Sequence, residues 1–170
     1  MERLEKFYNE IKNIKYGWYD KDNILHTKIE SHLMLEKYKM QNIDDIKKNG
    51  YSICWDLCEL ERDFLTKNNY EHKIIFIIEK DNVKMPCHTT CIVKIDENYY
   101  LLEASHINHK CLKRFSEEKE IYEYLKDNFE DFNKDYIKEN IEIYEYPKPK
   151  NNINCKEFYE NALNSKKINV

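Results

Sequence analysis

The sequence has little glycine and proline, with two glycines and three prolines among its 170 residues. It contains no Gly/Ser-rich run, no Pro-rich run and no internal repeat. Linkers between domains are usually rich in such residues, so we expect a single domain over residues 1–170. A chain of this length can bury a core that folds without disulfide or metal cross-links.

The sequence also lacks a basic block and a long apolar run. Its 28 Lys and Arg and its 32 Asp and Glu residues are interspersed, and the formal net charge is -4. The electrostatic signature of a nucleic-acid-binding protein is therefore missing, and no run approaches the length of a membrane span. The first residues are charged, unlike those of a secretory signal. We expect a cytoplasmic protein with no nucleic-acid partner and no membrane partner.

The six cysteines are expected to stay mostly reduced in that compartment. Two groups of them raise the question of a metal site: Cys54 with Cys58 in a predicted helix, and Cys87, His88 and Cys91 in a predicted strand. Structural zinc ligands usually come in close pairs on turns. On an extended strand, Cys87 and Cys91 would lie about 13 Å apart, too far for one ion. We expect no metal and no cofactor, with structural zinc as the competing interpretation.

The periodicity of the apolar residues predicts an α+β domain. The predicted helices span residues 1–14, 42–48, 54–65, 116–131 and 154–165, and the predicted strands span residues 73–79, 88–95, 99–105 and 142–146. The second and third strands flank a turn at residues 96–98 and should form an antiparallel hairpin. His106 and His109 follow this hairpin in a predicted loop and are expected to face solvent.

The stretch GYSICWDLCELERDFL at residues 50–65 is the most informative part of the chain. Ser52 is a candidate helix cap, and apolar residues then recur on one helical face. Cys54 should lie in the first turn, where the helix dipole and unpaired backbone N–H groups favour thiolate over thiol. Free cysteine is also among the most buried residue types, so a structural role for Cys54 is the alternative.

Two further residues complete a chemical pattern with Cys54. His88 opens one strand of the predicted hairpin, and Glu103 lies on the other strand. In an antiparallel hairpin, residues that lie diagonally across the two strands are neighbours, so Glu103 or Ser105 should lie within reach of the His88 imidazole. An imidazole can take the thiol proton, and a carboxylate on its far nitrogen fixes its orientation. The pattern predicts a cysteine nucleophile that attacks an acyl carbon, with helix N–H groups available to stabilise the oxyanion.

Residues around the nucleophile are expected to have supporting roles. Trp55, adjacent to Cys54, is a candidate substrate-binding residue, and Tyr51 is a second candidate as a residue lining the cleft, although nothing in the spacing requires that role. Asp56 should interact favourably with the helix dipole. Glu59 and Arg62, three residues apart, should pair on the helix surface, with a buried structural pair as the alternative.

The order of a helix with Cys, a strand with His and a strand with an acid resembles the core of the transglutaminase-like superfamily, which shares the papain-like fold. Small bacterial proteins of this type carry YGW-x-D, C-W-D-x-x-E-x-x-R, T-H-T, W-F-E-H-S-W and K-P-K segments, then a helix with E-F-Y. The counterparts here are YGWYD at 16–20, CWDLCELER at 54–62, CHT at 87–89, YLLEAS at 100–105, KPK at 148–150 and KEFYENAL at 156–163.

The resemblance implies a papain-like α+β fold, with a nucleophile helix on an antiparallel sheet and a Cys54–His88–Glu103 triad. The third member is Glu where the superfamily more often has Asp. Other departures from the pattern are Cys87 before the His, and Leu102, Ala104 and His106 around the acid.

The resemblance also implies acyl chemistry on an amide of a peptide or protein: peptide or isopeptide hydrolysis, deamidation or amide transfer. Hydrolysis is favoured because water is the default acceptor and no amine site is evident. The alternative is a catalytically silent peptide-binding module on the same fold. An enzyme must keep His88 within hydrogen-bond reach of Cys54 and leave the sulfur accessible, whereas a silent module need not.

Overall fold

A computed structural model of the protein describes residues 1–80, 82, 85–106, 108–129 and 134–170. Within this part the helices are α1 (Glu2–Ile11), α2 (Ser31–Lys37), α3 (Ile43–Asn49), α4 (Cys54–Lys67), α5 (Glu118–Asp127) and α6 (Cys155–Leu163). The strands are β1 (Lys15–Tyr16), β2 (Trp18–Tyr19), β3 (Leu25–His26), β4 (Tyr51–Ser52), β5 (Glu71–Glu79), β6 (Cys87–Ile95), β7 (Asn98–Glu103), β8 (Cys111–Phe115), β9 (Ile141–Tyr146) and β10 (Lys166–Ile168). The predicted α+β class is confirmed.

Six strands form one antiparallel sheet in the order β10-β9-β5-β6-β7-β8. The predicted hairpin is its β6–β7 pair, in which Ile95 lies opposite Asn98 and Cys91 opposite Leu102. The strand β7 ends at Glu103, two residues earlier than predicted. The Glu103 carboxylate accepts the backbone N–H of Ser105, and this bond turns the chain out of the ladder.

The sheet buries side chains on both faces, because successive residues of a strand point to opposite sides. On one face, Val93 and Leu102 pack in a core that also includes residues of α1, α4 and α6. On the other face, Ile75 and Leu101 pack with Ile121 of α5. The helix α4 is therefore held against the sheet at the level of β5 and β6. None of the helices in the described ranges is long and apolar enough to cross a membrane.

The helices α3 and α6 start where their capping residues predict. The Asn42 side chain accepts the N–H of Asp45 at 2.9 Å at the start of α3. At the start of α6, Asn154 and Glu157 form a reciprocal capping box, with bonds of 2.9 and 2.8 Å. Such caps are local, which is why the sequence reveals them.

Two helix starts differ from their predictions. The residue that caps α4 is Ile53, not Ser52, whose hydroxyl instead donates to the Ile53 carbonyl at 2.9 Å. The helix predicted over residues 116–131 begins at Glu118, because the Glu120 carboxylate binds the N–H groups of Ser116 and Glu117 ahead of the first turn. This helix ends at Asp127, and residues 130–131 of the prediction lie outside the described residues.

The N-terminal aromatic segment lies against the entrance to α4. Strand β1 pairs in parallel with β4, which places Tyr16 opposite Ser52, and the Gly17 N–H donates to the Ser52 carbonyl at 3.2 Å. A Cβ atom on Gly17 would meet the His26 carbonyl oxygen and the Tyr51 ring, each at 3.0 Å. Glycine at this position therefore permits the close approach of the two segments.

Candidate active site

Cys54 is the first residue of α4, as predicted. Its thiol lies where the helix presents unpaired N–H groups and the positive end of its dipole. The thiol forms a hydrogen bond with the His88 side chain. Only 6% of Cys54 is exposed, so the sulfur is largely covered in this conformation.

His88 and Glu103 form a buried pair, with 4% of each residue exposed. The His88 Nε2 atom lies 2.6 Å from the Glu103 Oε2 atom. Because Nε2 is bonded to the carboxylate, Nδ1 is the ring nitrogen left for the Cys54 sulfur. The other carboxylate oxygen, Oε1, accepts bonds from the Ser105 N–H, the Ser105 hydroxyl and the His106 N–H, at 2.9, 3.0 and 2.8 Å. Both oxygens of Glu103 are thus bonded and its orientation is fixed.

The two members of this pair hold each other in their charged forms. Burial by itself lowers the pKa of His88, but the charges of Glu103 and Cys54 and the hydrogen bonds to both outweigh burial and raise that pKa to about 10. Burial raises the pKa of Glu103, but the His88 charge and the bonds from His88, His106 and Ser105 lower that pKa to about 2. An imidazolium and a carboxylate therefore face each other at neutral pH. This charge distribution is the one that a thiolate–imidazolium pair requires.

Trp55 lies in an aromatic cluster and is 5% exposed. Its ring stacks on Phe158 of α6 with centroids 3.8 Å apart and meets Tyr38 and Tyr159 edge-on. The Cys87 thiol bonds to the Trp55 side chain and lies 3.2 Å from the Tyr159 hydroxyl. Substrate contact by Trp55 stays a prediction, and the burial of its ring argues against it.

Tyr51 and Tyr16 lie on opposite sides of the small β1–β4 pair, because Tyr51 registers with Lys15 and Tyr16 registers with Ser52. Tyr51 is half-buried, meets Tyr19 edge-on and has the Lys15 ammonium 5.6 Å from its ring centre. Its proposed contact with substrate stays a prediction. Tyr16, to which the sequence assigned no function, packs against the core that contains Cys54.

The residue Asp56 does more than interact with the helix dipole. It is 0% exposed and accepts the Tyr38 hydroxyl at 2.8 Å and the Gln41 N–H at 2.9 Å. It also accepts the N–H of Ile53, the capping residue of α4. Burial raises the pKa of Asp56 to about 6, although these hydrogen bonds oppose the rise. Asp56 therefore connects the start of α4 to the segment at residues 38–41.

Glu59 and Arg62 pair at 3.2 Å as expected, but the pair is not on the surface. The two side chains are 12% and 14% exposed, and Arg62 also donates to the Tyr146 carbonyl at 3.0 Å. The buried structural pair is thus the interpretation that the structure supports. In the same turn of α4, Glu61 is buried, and burial and then the charge of Glu103 raise its pKa well above the usual value.

His106 and His109 were expected to face solvent, yet both are half-buried. The His106 ring meets the His88 ring edge-on at 5.7 Å, and the His109 ring lies 4.9 Å from that of His106. The His106 Nδ1 atom accepts the N–H groups of Asn108 and His109, at 3.1 and 3.2 Å. These bonds fold the loop back over the His88–Glu103 pair. The sequence carried no signal of this, since loop periodicity does not report orientation.

All six cysteines are free thiols. Among the described residues, no group of three or more His, Cys, Asp or Glu side chains is arranged to hold a metal ion.

The site can now be compared with known proteins. No curated protein matches the chain, and no solved structure does. A family profile described as a transglutaminase-like domain matches residues 3–144, a range that contains Cys54, His88 and Glu103. The observed sheet and helices agree with a transglutaminase-like domain, as the sequence motifs predicted. The chain therefore belongs to the transglutaminase-like domain family.

Proposed function

We propose that this protein is a cysteine-dependent enzyme that acts on amide bonds of peptides or proteins through Cys54, His88 and Glu103. The observation that carries the proposal is the buried His88–Glu103 ion pair, at 2.6 Å, which turns the His88 ring toward the thiol at the start of α4. An ion pair of this kind is costly to bury, and its place beside a helix N-terminal thiol gives it a chemical use.

The proposed reaction has two steps. The Cys54 thiolate attacks the amide carbon, N–H groups at the start of α4 bind the oxyanion, and the His88 imidazolium protonates the departing amine. The neutral imidazole then takes a proton from water or from a second amine as that acceptor attacks the thioester. The carbon–sulfur bond breaks, the acyl group leaves on the acceptor, and the Cys54 thiolate and His88 imidazolium are regenerated. Glu103 keeps the His88 ring oriented in both steps and stabilises its positive charge whenever the ring is protonated.

Water is the favoured acceptor, which makes hydrolysis the first reaction to test. Transfer to an amine and deamidation follow from the same thioester and differ only in the nucleophile or in the amide attacked. The substrate is proposed to be a peptide or protein amide, because this is the chemistry implied by transglutaminase-like proteins.

A second candidate is a silent peptide-binding module. It is favoured by the burial of Cys54, which is 6% exposed. The hydrogen bond between Cys54 and His88 meets one requirement of an enzyme, but the covered sulfur does not meet the other. For the enzyme, a substrate carbonyl must reach this largely covered sulfur.

The test is acylation by p-nitrophenyl acetate, followed through nitrophenolate release and the intact mass of the protein. The wild type is expected to form one acyl adduct, located on Cys54 by peptide mapping. Cys54→Ala should abolish the adduct, and His88→Ala should slow its formation by about 10²–10⁴-fold. The control Cys155→Ala removes a buried thiol in α6 and should react like the wild type. A wild type that forms no adduct, or one that is labelled equally on several cysteines, would favour the silent module.

A further inference from the structure

Tyr16, Tyr38 and Tyr159 all lie close enough to the thiol for the charge of Cys54 to raise their pKa values. The Tyr38 hydroxyl is bonded to Asp56, and the Tyr159 hydroxyl lies 3.2 Å from the Cys87 sulfur.

Strand β1 carries Tyr16 opposite Ser52, two residues before Cys54, on the side of the β1–β4 pair that faces the core. The ring is half-buried and packs against the cluster that contains Cys54 and Trp55. Gly17 fixes this approach through its bond to the Ser52 carbonyl.

Other donors beside Cys54 are already engaged. The Ser52 hydroxyl donates to the Ile53 carbonyl at 2.9 Å. The Gln41 amide donates to the Tyr51 carbonyl at 3.2 Å and to the Asp56 carboxylate at 3.3 Å. The Trp55 side chain bonds to Cys87.

The Tyr16 hydroxyl, in contrast, has no hydrogen-bond partner within the residues that the structure describes. It is not among the buried side-chain atoms that lack a partner, so the half-buried Tyr16 presents its hydroxyl to solvent at the site. Such a group is free to bond to a ligand atom that enters the site.

We propose that the Tyr16 hydroxyl donates a hydrogen bond to the oxyanion that forms when Cys54 attacks a substrate carbonyl. This inference rests on the function proposed above. The hydroxyl would act with a backbone N–H at the start of α4, and two donors converging on one oxygen make an oxyanion site. No proton is transferred: the hydroxyl binds the developing charge and releases it when the carbonyl re-forms.

The surroundings of Tyr16 keep it a donor. Burial, and then the charge of Cys54, raise the pKa of Tyr16 well above its ordinary value. The charges of Cys87, Asp56 and Glu103 act in the same direction. The hydroxyl therefore stays protonated throughout the pH range in which the thiolate reacts, so it cannot serve as the base.

Tyr16→Phe tests the proposal through two reactions of the same sulfur. Alkylation by iodoacetamide is a displacement that forms no oxyanion, whereas acylation by p-nitrophenyl acetate does form one. Tyr16→Phe is expected to slow acylation by about 10²-fold. It should leave the rate and pH dependence of Cys54 alkylation within about twofold of the wild type, since only an oxyanion bond is lost. Tyr70→Phe, another half-buried tyrosine that stacks near Phe64, serves as the matched control and should change neither rate.

The outcomes separate this inference from the proposed function. If the wild type and Tyr16→Phe acylate equally fast, the oxyanion role of Tyr16 is wrong while the nucleophile stands. If acylation and alkylation fall together, Tyr16 supports the thiolate or the local fold, and the oxyanion role is again wrong. If the wild type alkylates at Cys54 but is never acylated, the proposed function fails and this inference fails with it.

Discussion

The His88–Glu103 pair is the residue-scale feature on which the site depends. Two charged groups are removed from water, and each is stabilised by the charge of the other and by hydrogen bonds. Removing one partner would leave a buried charge without compensation, which is strongly destabilising. The pair thus contributes both to the orientation of the His88 ring and to the pH dependence of folding.

The free energy of unfolding should vary with pH through this pair. The pKa of Glu103 is about 2 in the folded protein, against about 4.3 for an unfolded chain. Its contribution is therefore present above about pH 4.3 and is lost as the pH falls toward 2. The pKa of His88 is about 10, against about 6.5 unfolded, so its contribution is full below about pH 6.5 and is lost as the pH rises toward 10.

Urea unfolding across this pH range should reveal both slopes in the wild type. We expect the alkaline slope to disappear in His88→Ala, because the group whose pKa is raised has been removed. His32→Ala, a change at an exposed histidine, serves as the control and should keep the wild-type profile. An alkaline slope of the same size in His88→Ala would contradict the raised pKa.

At the scale of elements, the start of α4 is positioned by two connections. Asp56 bonds it to the segment at residues 38–41, and Gly17 lets β1 pair closely with β4. Neither connection is a property of the helix itself. The position of the thiol therefore depends on segments that precede the helix in the chain.

Asp56→Ala should lower the free energy of unfolding by about 3 kcal/mol, because the Tyr38 hydroxyl and backbone N–H groups would lose their buried acceptor. The matched change on the same helix is Asp63→Ala, which removes a partner of Lys67, a side chain that is 70% exposed. That change should cost at most about 1 kcal/mol. Urea titration of both variants measures the difference, and equal losses would show that Asp56 has no special structural role.

Gly17→Ala should lower the free energy of unfolding by about 1–3 kcal/mol, because its Cβ would press on the His26 carbonyl oxygen, a backbone atom that cannot easily move. Gly50 gives a contrasting control. It has a φ of 68° and open space around a Cβ, so Gly50→Asn should be nearly neutral since Asn tolerates that conformation. Thermal unfolding distinguishes the two glycines, and a wild-type melting temperature for Gly17→Ala would contradict the close contact.

At the scale of the whole molecule, the parts that could be predicted from the sequence differ from the parts that depend on tertiary packing. The caps Asn42 and Asn154 and the β6–β7 hairpin were predictable because their determinants are local. The burial of Trp55 was not, because its partner Phe158 lies in α6, far along the chain. The approach of Tyr16 to Cys54 and the inward turn of His106 depend on tertiary packing that no periodicity reveals.

The C-terminal helix α6 packs against residues of the candidate site. The family match ends at residue 144, yet Phe158 and Tyr159 of α6 cover Trp55 and Cys87. We therefore expect residues 1–170 to unfold as one cooperative unit. Far-ultraviolet circular dichroism and tryptophan fluorescence should report the same transition in urea, whereas two separate transitions would contradict a single domain.

The most direct test of the proposed nucleophile is the pH dependence of Cys54 alkylation by iodoacetamide, located by mass spectrometry in the wild type and in His88→Ala. We expect Cys54 to react fastest of the six cysteines and to stay reactive well below pH 8, because His88 holds a proton beside the sulfur and favours the thiolate. His88→Ala should lose this low-pH reactivity. Slow alkylation of Cys54 that is the same in both proteins would contradict a Cys54–His88 nucleophile and would leave a transglutaminase-like fold with a silent cleft.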